Sequence, residues 1–196
     1  MSLRVMTWNL WWHFGPWEAR QPLIVDTIRN VDPDVLCVQE VWSNESADQA
    51  ETLATALNMH VARTDPVFYS GQSFGNAILS RWPLERIGDL RLPNADGRSS
   101  HRRVVGARVT TPYGPWPFAA THLDHRFDRS ADRQEQIRSV MAAARTWRGD
   151  AATDLPVIVG ADLNAVPDTD EVRLATGRAP GIDDIVFSDA WEIVGD

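Results

Sequence analysis

Asp34-Val35-Leu36-Cys37-Val38-Gln39-Glu40 is the stretch on which the reading of this chain turns. An apolar run follows the breaker Asp32-Pro33-Asp34 and ends in a carboxylate. A short apolar run bounded by turn residues reads as a buried strand, and a strand holds its last residue more firmly than a loop does. Glu40 is therefore delivered to a defined place. Upstream, Glu18 to Asn30 places Leu23, Ile24, Thr27 and Ile28 on one side of a helix, and Leu3 to Asn9 reads as a strand. The chain thus opens strand-helix-strand, an α/β beginning.

The same grammar continues downstream. Ser46 is placed to cap a helix through Leu57, and Met59 to Arg63 alternates as a strand. Tyr69 to Ser73 reads as a loop, Asn76 to Ser80 as a strand, and Leu84 to Leu92 as an alternating strand before the polar loop Asn94 to Ser100. Arg103 to Thr111 and Trp116 to His122 read as a hairpin with Pro112 and Pro115 in its turn. Ser130 is placed to cap a helix to Trp147 with Ile137, Val140, Met141 and Ala144 at helical spacing. Leu155 to Gly160 returns as a buried strand, followed by a helix over Asp168 to Thr176 and a strand near Ile185 to Phe187. No repeat or linker divides residues 1–196, which read as one domain.

Composition narrows the function. With 19 basic against 27 acidic residues the net charge is −8, which offers no broad basic footprint for duplex nucleic acid and favours a small or locally steered substrate. Nucleic acid stays open, because metal-site carboxylates and local basic clusters disappear in an average. The single cysteine, Cys37, has no partner for an internal disulfide and suits a reducing compartment. No signal-like N-terminus and no apolar run of membrane-spanning length occurs, so a soluble, cytoplasmic protein is expected. Of the nine tryptophans, Trp8 reads as core, whereas Trp11, Trp12 and Trp17 either line a pocket rim or cover a sheet edge.

Three strand ends carry chemistry in one order: Thr7-Trp8-Asn9, then Val38-Gln39-Glu40, then Gly160-Ala161-Asp162-Leu163-Asn164. Acids at such ends can share one Mg²⁺ while neighbouring amides hold substrate oxygens, the layout a divalent-metal phosphoesterase needs. Asp162 and Asn164, two apart, point to one side of an extended segment, where a carboxylate can orient water and an amide can steady it. His122 ends a strand and can donate to a phosphoryl oxygen. Asn76 is a candidate buried amide, and Arg102 and Arg103 are candidate phosphate contacts. Each has a plainer reading: a solvated acid for Glu40, a turn residue for Asn9, an Asx turn for Asp162, a hydrogen-bonded histidine for His122, a strand-edge bond for Asn76, exposed ion pairs for the arginines. Asp124 and His125 make metal binding conceivable. A glycosidase would also use paired acids, but not these amide and histidine partners.

Together these runs resemble the endonuclease/exonuclease/phosphatase superfamily, on Thr7-Trp8-Asn9, Asp34 to Glu40, Gly75-Asn76-Ala77-Ile78-Leu79-Ser80-Arg81, Thr121-His122-Leu123 and Gly160 to Asn164, with Arg133-Gln134, Gln136 and Ile137 also fitting. The resemblance implies a four-layer α/β/β/α sandwich with two mixed β-sheets and in-line attack by water on a phosphoester. It implies Glu40 as the principal ligand of Mg²⁺ or Mn²⁺ with Asn9 beside it, and Asp162 orienting the water with Asn164 assisting. His122 and Asn76 would contact the scissile phosphate, and Arg103 stays a substrate-binding candidate on its own reading. The family's closing Ser-Asp-His run is not found, since Ser188-Asp189-Ala190-Trp191 lacks the histidine. The expectation is therefore a chain without its C-terminal strands, on the order of 50 to 80 residues short, able to self-associate through an exposed sheet edge. The alternative is a catalytically silent member binding a phosphorylated ligand or a protein.

Overall fold

The computed structural model describes residues 2–69 and 71–195. The stretch around Cys37 is the second strand of a series: β1 (Val5–Asn9), α1 (Trp17–Val31), β2 (Val35–Ser43), α2 (Gln49–Leu57), β3 (His60–Arg63), β4 (Val67–Tyr69), β5 (Gln72–Ser80), β6 (Leu84–Pro93), β7 (Ser99–Thr111), β8 (Gly114–His122), α3 (Ser130–Arg148), β9 (Ile158–Asp162), α4 (Asp170–Ala175) and α5 (Ala190–Val194). One sheet has the order β1-β2-β5-β3 with β4 on β5; the other runs β6-β7-β8-β9. Both are mixed, because β1 and β2, and likewise β8 and β9, are parallel while the remaining pairs are antiparallel.

The period of two along β2 sorts its side chains between two cores. Val35 and Cys37 face the second sheet, meeting Val105, Ala107, Val109, Phe118 and Ala120. Leu36 and Val38 face outward, under Ile24 and Ile28 of α1 and Ala50, Leu53 and Ala54 of α2. On the far side Val104, Ala119 and Leu123 meet Ile137, Val140, Met141 and Trp147 of α3 and Leu174 of α4. The result is the expected four-layer α/β/β/α sandwich. Burying a side chain such as Phe118 contributes about 1.5–3 kcal/mol, and close approach replaces side chain with backbone where layers touch. A Cβ on Gly88 or Gly106 would lie 2.5 or 2.7 Å from the Trp147 indole, so these two glycines make the flat seat on which α3 docks.

Several local expectations are corrected. Helix α2 is capped by Asp48, whose backbone is extended and whose side chain accepts from Ala50 and Glu51 N–H; Ser46 is instead gathered with Ala47 by Asn44 Oδ1. Ser130 gives its hydroxyl to buried Glu171 rather than to the end of α3. Leu23 and Thr27 of α1 are exposed, the buried stripe being Ile24 and Ile28. The Tyr69 to Ser73 segment is largely strand, with Tyr69 in β4 and Gln72 and Ser73 in β5, and Ser70 lies outside the described residues. Pro115 sits within β8 opposite Thr110 rather than in the turn. Near Ile185 only an isolated bridge to Ile182 forms, and Ile182, Ile185 and Phe187 cover the α3 and α4 side of the second sheet. Among the described residues no helix is long and apolar enough to cross a membrane.

Candidate active site

Register brings three strand ends together with Glu40, which sits at a bulge inside β2 rather than at the strand end expected, because β2 continues in its ladder to Ser43. Parallel pairing sets Asn9 beside Gln39 and His122 beside Asp162, so face-to-face sheets meet at Asn9, Glu40, His122 and Asp162. Asn9 Nδ2 donates to Glu40 Oε1 at 3.1 Å and to Asp162 Oδ2 at 2.8 Å, while its Oδ1 accepts from Trp11 N–H at 2.8 Å. One amide thus clamps two carboxylates that are 122 residues apart in the chain. It presents a donor to them, its oxygen being turned to the backbone.

Glu40 lies where the β2–β5 ladder shifts register, between Gln39 and Val41, with φ of 57°. A bulge of this kind re-aims a side chain, and left-handed backbone at a residue other than glycine costs on the order of 1 kcal/mol or more. Trp11, Trp12 and Asn164 are also left-handed, so strain gathers around the acids. Burial raises the Glu40 pKa, and the Asp162 charge adds to this, against the Asn9 hydrogen bond and the Arg102 charge. Its Oε2 is buried without a partner among the described residues.

His122 is 2 % exposed. Asn164 Nδ2 lies 2.7 Å from its Nε2 and 3.1 Å from Leu123 O. An amide nitrogen only donates, so Nε2 accepts and the proton of the neutral ring resides on Nδ1. Burial, reinforced by the Arg102 charge, brings the His122 pKa down to about 3, which keeps the ring neutral at physiological pH. Nδ1 is buried and unpartnered among the described residues, 3.7 Å from Glu40 Oε1. Asp162 Oδ1 accepts from Asn164 N–H at 3.0 Å, closing the group.

A cleft beside this centre is lined by Phe74, Asn76, Arg102, Arg103 and His122. Asn76 Nδ2 donates to Arg103 O at 2.9 Å, leaving its buried Oδ1 without a partner among the described residues. Arg103, expected on substrate, sends Nε to Asp89 at 2.8 Å with Asp65 at 3.5 Å; its backbone carbonyl is engaged by Asn76 and Thr121. Arg102, its strand neighbour, bonds His125 Nδ1 at 3.0 Å and lies over the Phe74 ring, 5.7 Å from its centre. Asp124 is held by Arg126: burial opposes its ionisation, but the hydrogen bonds from Arg126 bring its pKa down to about 2.

The donor set fits a hard divalent cation. Mg²⁺ is held by one or two carboxylates with waters and substrate oxygens rather than by a complete protein cage. Glu40 offers an unpartnered carboxylate oxygen beside a second acid, and among the described residues no cluster of three or more His, Cys, Asp or Glu stands ready as a cage.

Residues 6–195 match the Endonuclease/Exonuclease/phosphatase family. The chain belongs to this family. It is 29 % identical over 180 residues to protein YbhP of Escherichia coli K12, covering 83 % of this chain and 67 % of that one. It is 22 % identical over 182 residues to protein angel of Drosophila melanogaster, covering 87 % of this chain and 50 % of that one; the chain therefore spans half the length of that relative. The human Nocturnin catalytic domain, solved with bound sulfate, superposes with a TM-score of 0.74 at 21 % identity, covering 89 % of this chain and 69 % of that domain.

Within the family fold, the sequence offers Arg102 and Arg103 equally as phosphate contacts and does not show that Arg102 pairs with His125 while Arg103 is taken by Asp89, because those partners lie 23 and 14 residues away and meet only in the folded sheets. The tryptophan loop also resolves. His13 stacks between Trp12 and Trp17, at 5.2 and 4.2 Å, with Trp42 edge-on at 4.6 Å, so Trp12 and Trp17 are packing residues. Trp11 stays half exposed beneath Arg20.

Proposed function

We propose that this chain is a single catalytic domain that hydrolyses a phosphoester by in-line attack of water, with Mg²⁺ or Mn²⁺ held at Glu40. The observation that carries the reading is the pair of orphaned buried atoms at one point, the acceptor Glu40 Oε2 and the donor Nδ1–H of His122, beside the clamped Asp162. A bound divalent ion would supply charge stabilisation at the phosphoryl and leaving oxygens. Asp162 orients the attacking water and takes its proton. His122, neutral and protonated on Nδ1, donates to a non-bridging oxygen. Asn164 sets that tautomer, and Asn9 holds the carboxylates in place. Asn76 Oδ1 accepts from a hydroxyl of the phosphoryl group or the departing alcohol. A net charge of −8 favours a compact substrate over a long polyanion.

The test is turnover of a chromogenic phosphodiester, a phosphomonoester and supercoiled plasmid with Mg²⁺ or Mn²⁺, beside a chelator control. Metal-dependent activity on one ester class, reduced at least about 100-fold in Glu40→Gln, is the expected result. A folded, metal-binding chain inactive on all three substrates would instead favour a silent, ligand-binding member.

A further inference from the structure

Arg102 is set apart from its neighbours by what it does not touch. Arg103 is engaged by Asp89 and Asp65, and Arg126 by Asp124. Arg102 has no carboxylate within ion-pair distance among the described residues. Its guanidinium is oriented by neutral groups: the backbone N–H of Arg102 is anchored on Ser100 Oγ at 3.0 Å, Nη2 donates to His125 Nδ1 at 3.0 Å, and the plane lies over Phe74. Neutral anchors fix the direction of the fork without neutralising its charge. Nη1 is buried and unpartnered among the described residues, a state that persists in native proteins where a ligand or water completes the site.

The geometry points to Arg102 as the oxyanion receptor of the site: Nη1 donates to a non-bridging oxygen of the substrate phosphoryl group, alongside the Nδ1–H of His122. The two residues line one cleft, and both lie against Phe74, its ring centre 6.0 Å from that of His122 and 5.7 Å from Arg102 Cζ. A guanidinium suits this task because its planar N–H array matches the oxygens of a phosphoryl group. His125 is then a positioning residue, its lone pair holding the fork in place. The inference rests on the phosphoester reading above and deepens it: the phosphate itself is read by Arg102, which leaves the remainder of the substrate to the surrounding loops.

The experiment separates the two ideas. Inorganic phosphate is titrated calorimetrically into the full chain, with Mg²⁺ and with chelator, for wild type, Arg102→Met, Arg102→Lys and the exposed control Arg91→Met, and KM is measured for whichever chromogenic ester is turned over. Arg102→Met keeps an unbranched side chain without the guanidinium, and matched melting curves establish that each variant is folded. Arg102→Met is expected to weaken phosphate at least about tenfold and to raise KM by a similar factor, Arg102→Lys to lie between, and Arg91→Met to match wild type. Phosphate binding that is unchanged in Arg102→Met, or absent from wild type under both conditions, overturns the assignment even if the enzyme is active. Arg102-dependent phosphate binding by a chain that hydrolyses nothing upholds the assignment and sinks the hydrolase reading.

Discussion

Gly160→Ala tests the joint between fold and site. A Cβ at Gly160 would stand 2.3 Å from Cys37 Cβ, 2.8 Å from its Sγ and 3.2 Å from Thr7 Cβ. Carbon atoms pack at about 3.5 Å or more, so roughly 1.2 Å of overlap must be relieved. Cys37 cannot retreat, because β2 is laddered to β1 at Thr7 and to β5 at Ile78. Among the described residues strand β9 is paired in its sheet only to β8, so β9 gives way, and Asp162 lies two residues along it. Overpacking of this kind costs about 1–3 kcal/mol, a fall in Tm of roughly 2–12 °C for a chain of this size. A displacement near 1 Å at Asp162 would lower kcat/KM about 100-fold. Thermal melts and steady-state kinetics read both effects. In the double variant Cys37→Gly/Gly160→Ala the obstructing Cβ is gone, and the destabilisation should fall short of the sum by about 1 kcal/mol or more. Unchanged Tm and kcat/KM in Gly160→Ala would refute the close inter-sheet contact on which the reasoning rests.

Two further outcomes follow from buried charge. The His122 pKa is about 3 in the folded chain against 6.5 for a free side chain, so across that interval unfolding takes up a proton and stability falls as pH falls, by up to about 1.4 kcal/mol per pH unit. His122→Asn should flatten this dependence in urea melts at matched pH, and parallel wild-type and variant profiles would count against it. Arg133 and Glu171 form an ion pair with 5 % and 1 % of their side chains exposed, and Arg133 also holds the carbonyls of Asp124 and Arg126. Arg133→Met, stranding a buried carboxylate, should cost about 3–5 kcal/mol, and Arg133→Met/Glu171→Leu much less; a single variant as stable as wild type would show the pair to be dispensable.

Apolar runs and breakers located most strands and the long helices in advance, because burial imposes its period on any sequence that folds this way. Caps were less legible. Ser46 and Ser130 are as competent as Asp48 by residue type, and what separates them is whether Asn44 or Glu171 claims the hydroxyl or neighbouring amides first. The short β4–β5 hairpin was missed because it is secured mainly by its place on a sheet, and three residues of β4 carry too little pattern to reveal it.

The local sequence alone determined which side chains follow the apolar runs: Asn9, His122 and Asp162 end their strands, whereas Glu40, read as a strand end, sits at a bulge inside β2, which continues to Ser43; period two along β2 fixed which of its residues enter each core. Only the tertiary structure decided what those side chains do to one another. Asn9 became a clamp between Glu40 and Asp162, Asn164 the group that sets the His122 proton, Arg103 a partner of Asp89 and Arg102 the open cation of the cleft. The reason is physical: strand position follows from burial, which is local and periodic. Protonation state and hydrogen-bond partner follow from distances between residues up to 153 positions apart, and those distances exist only once the two sheets have met.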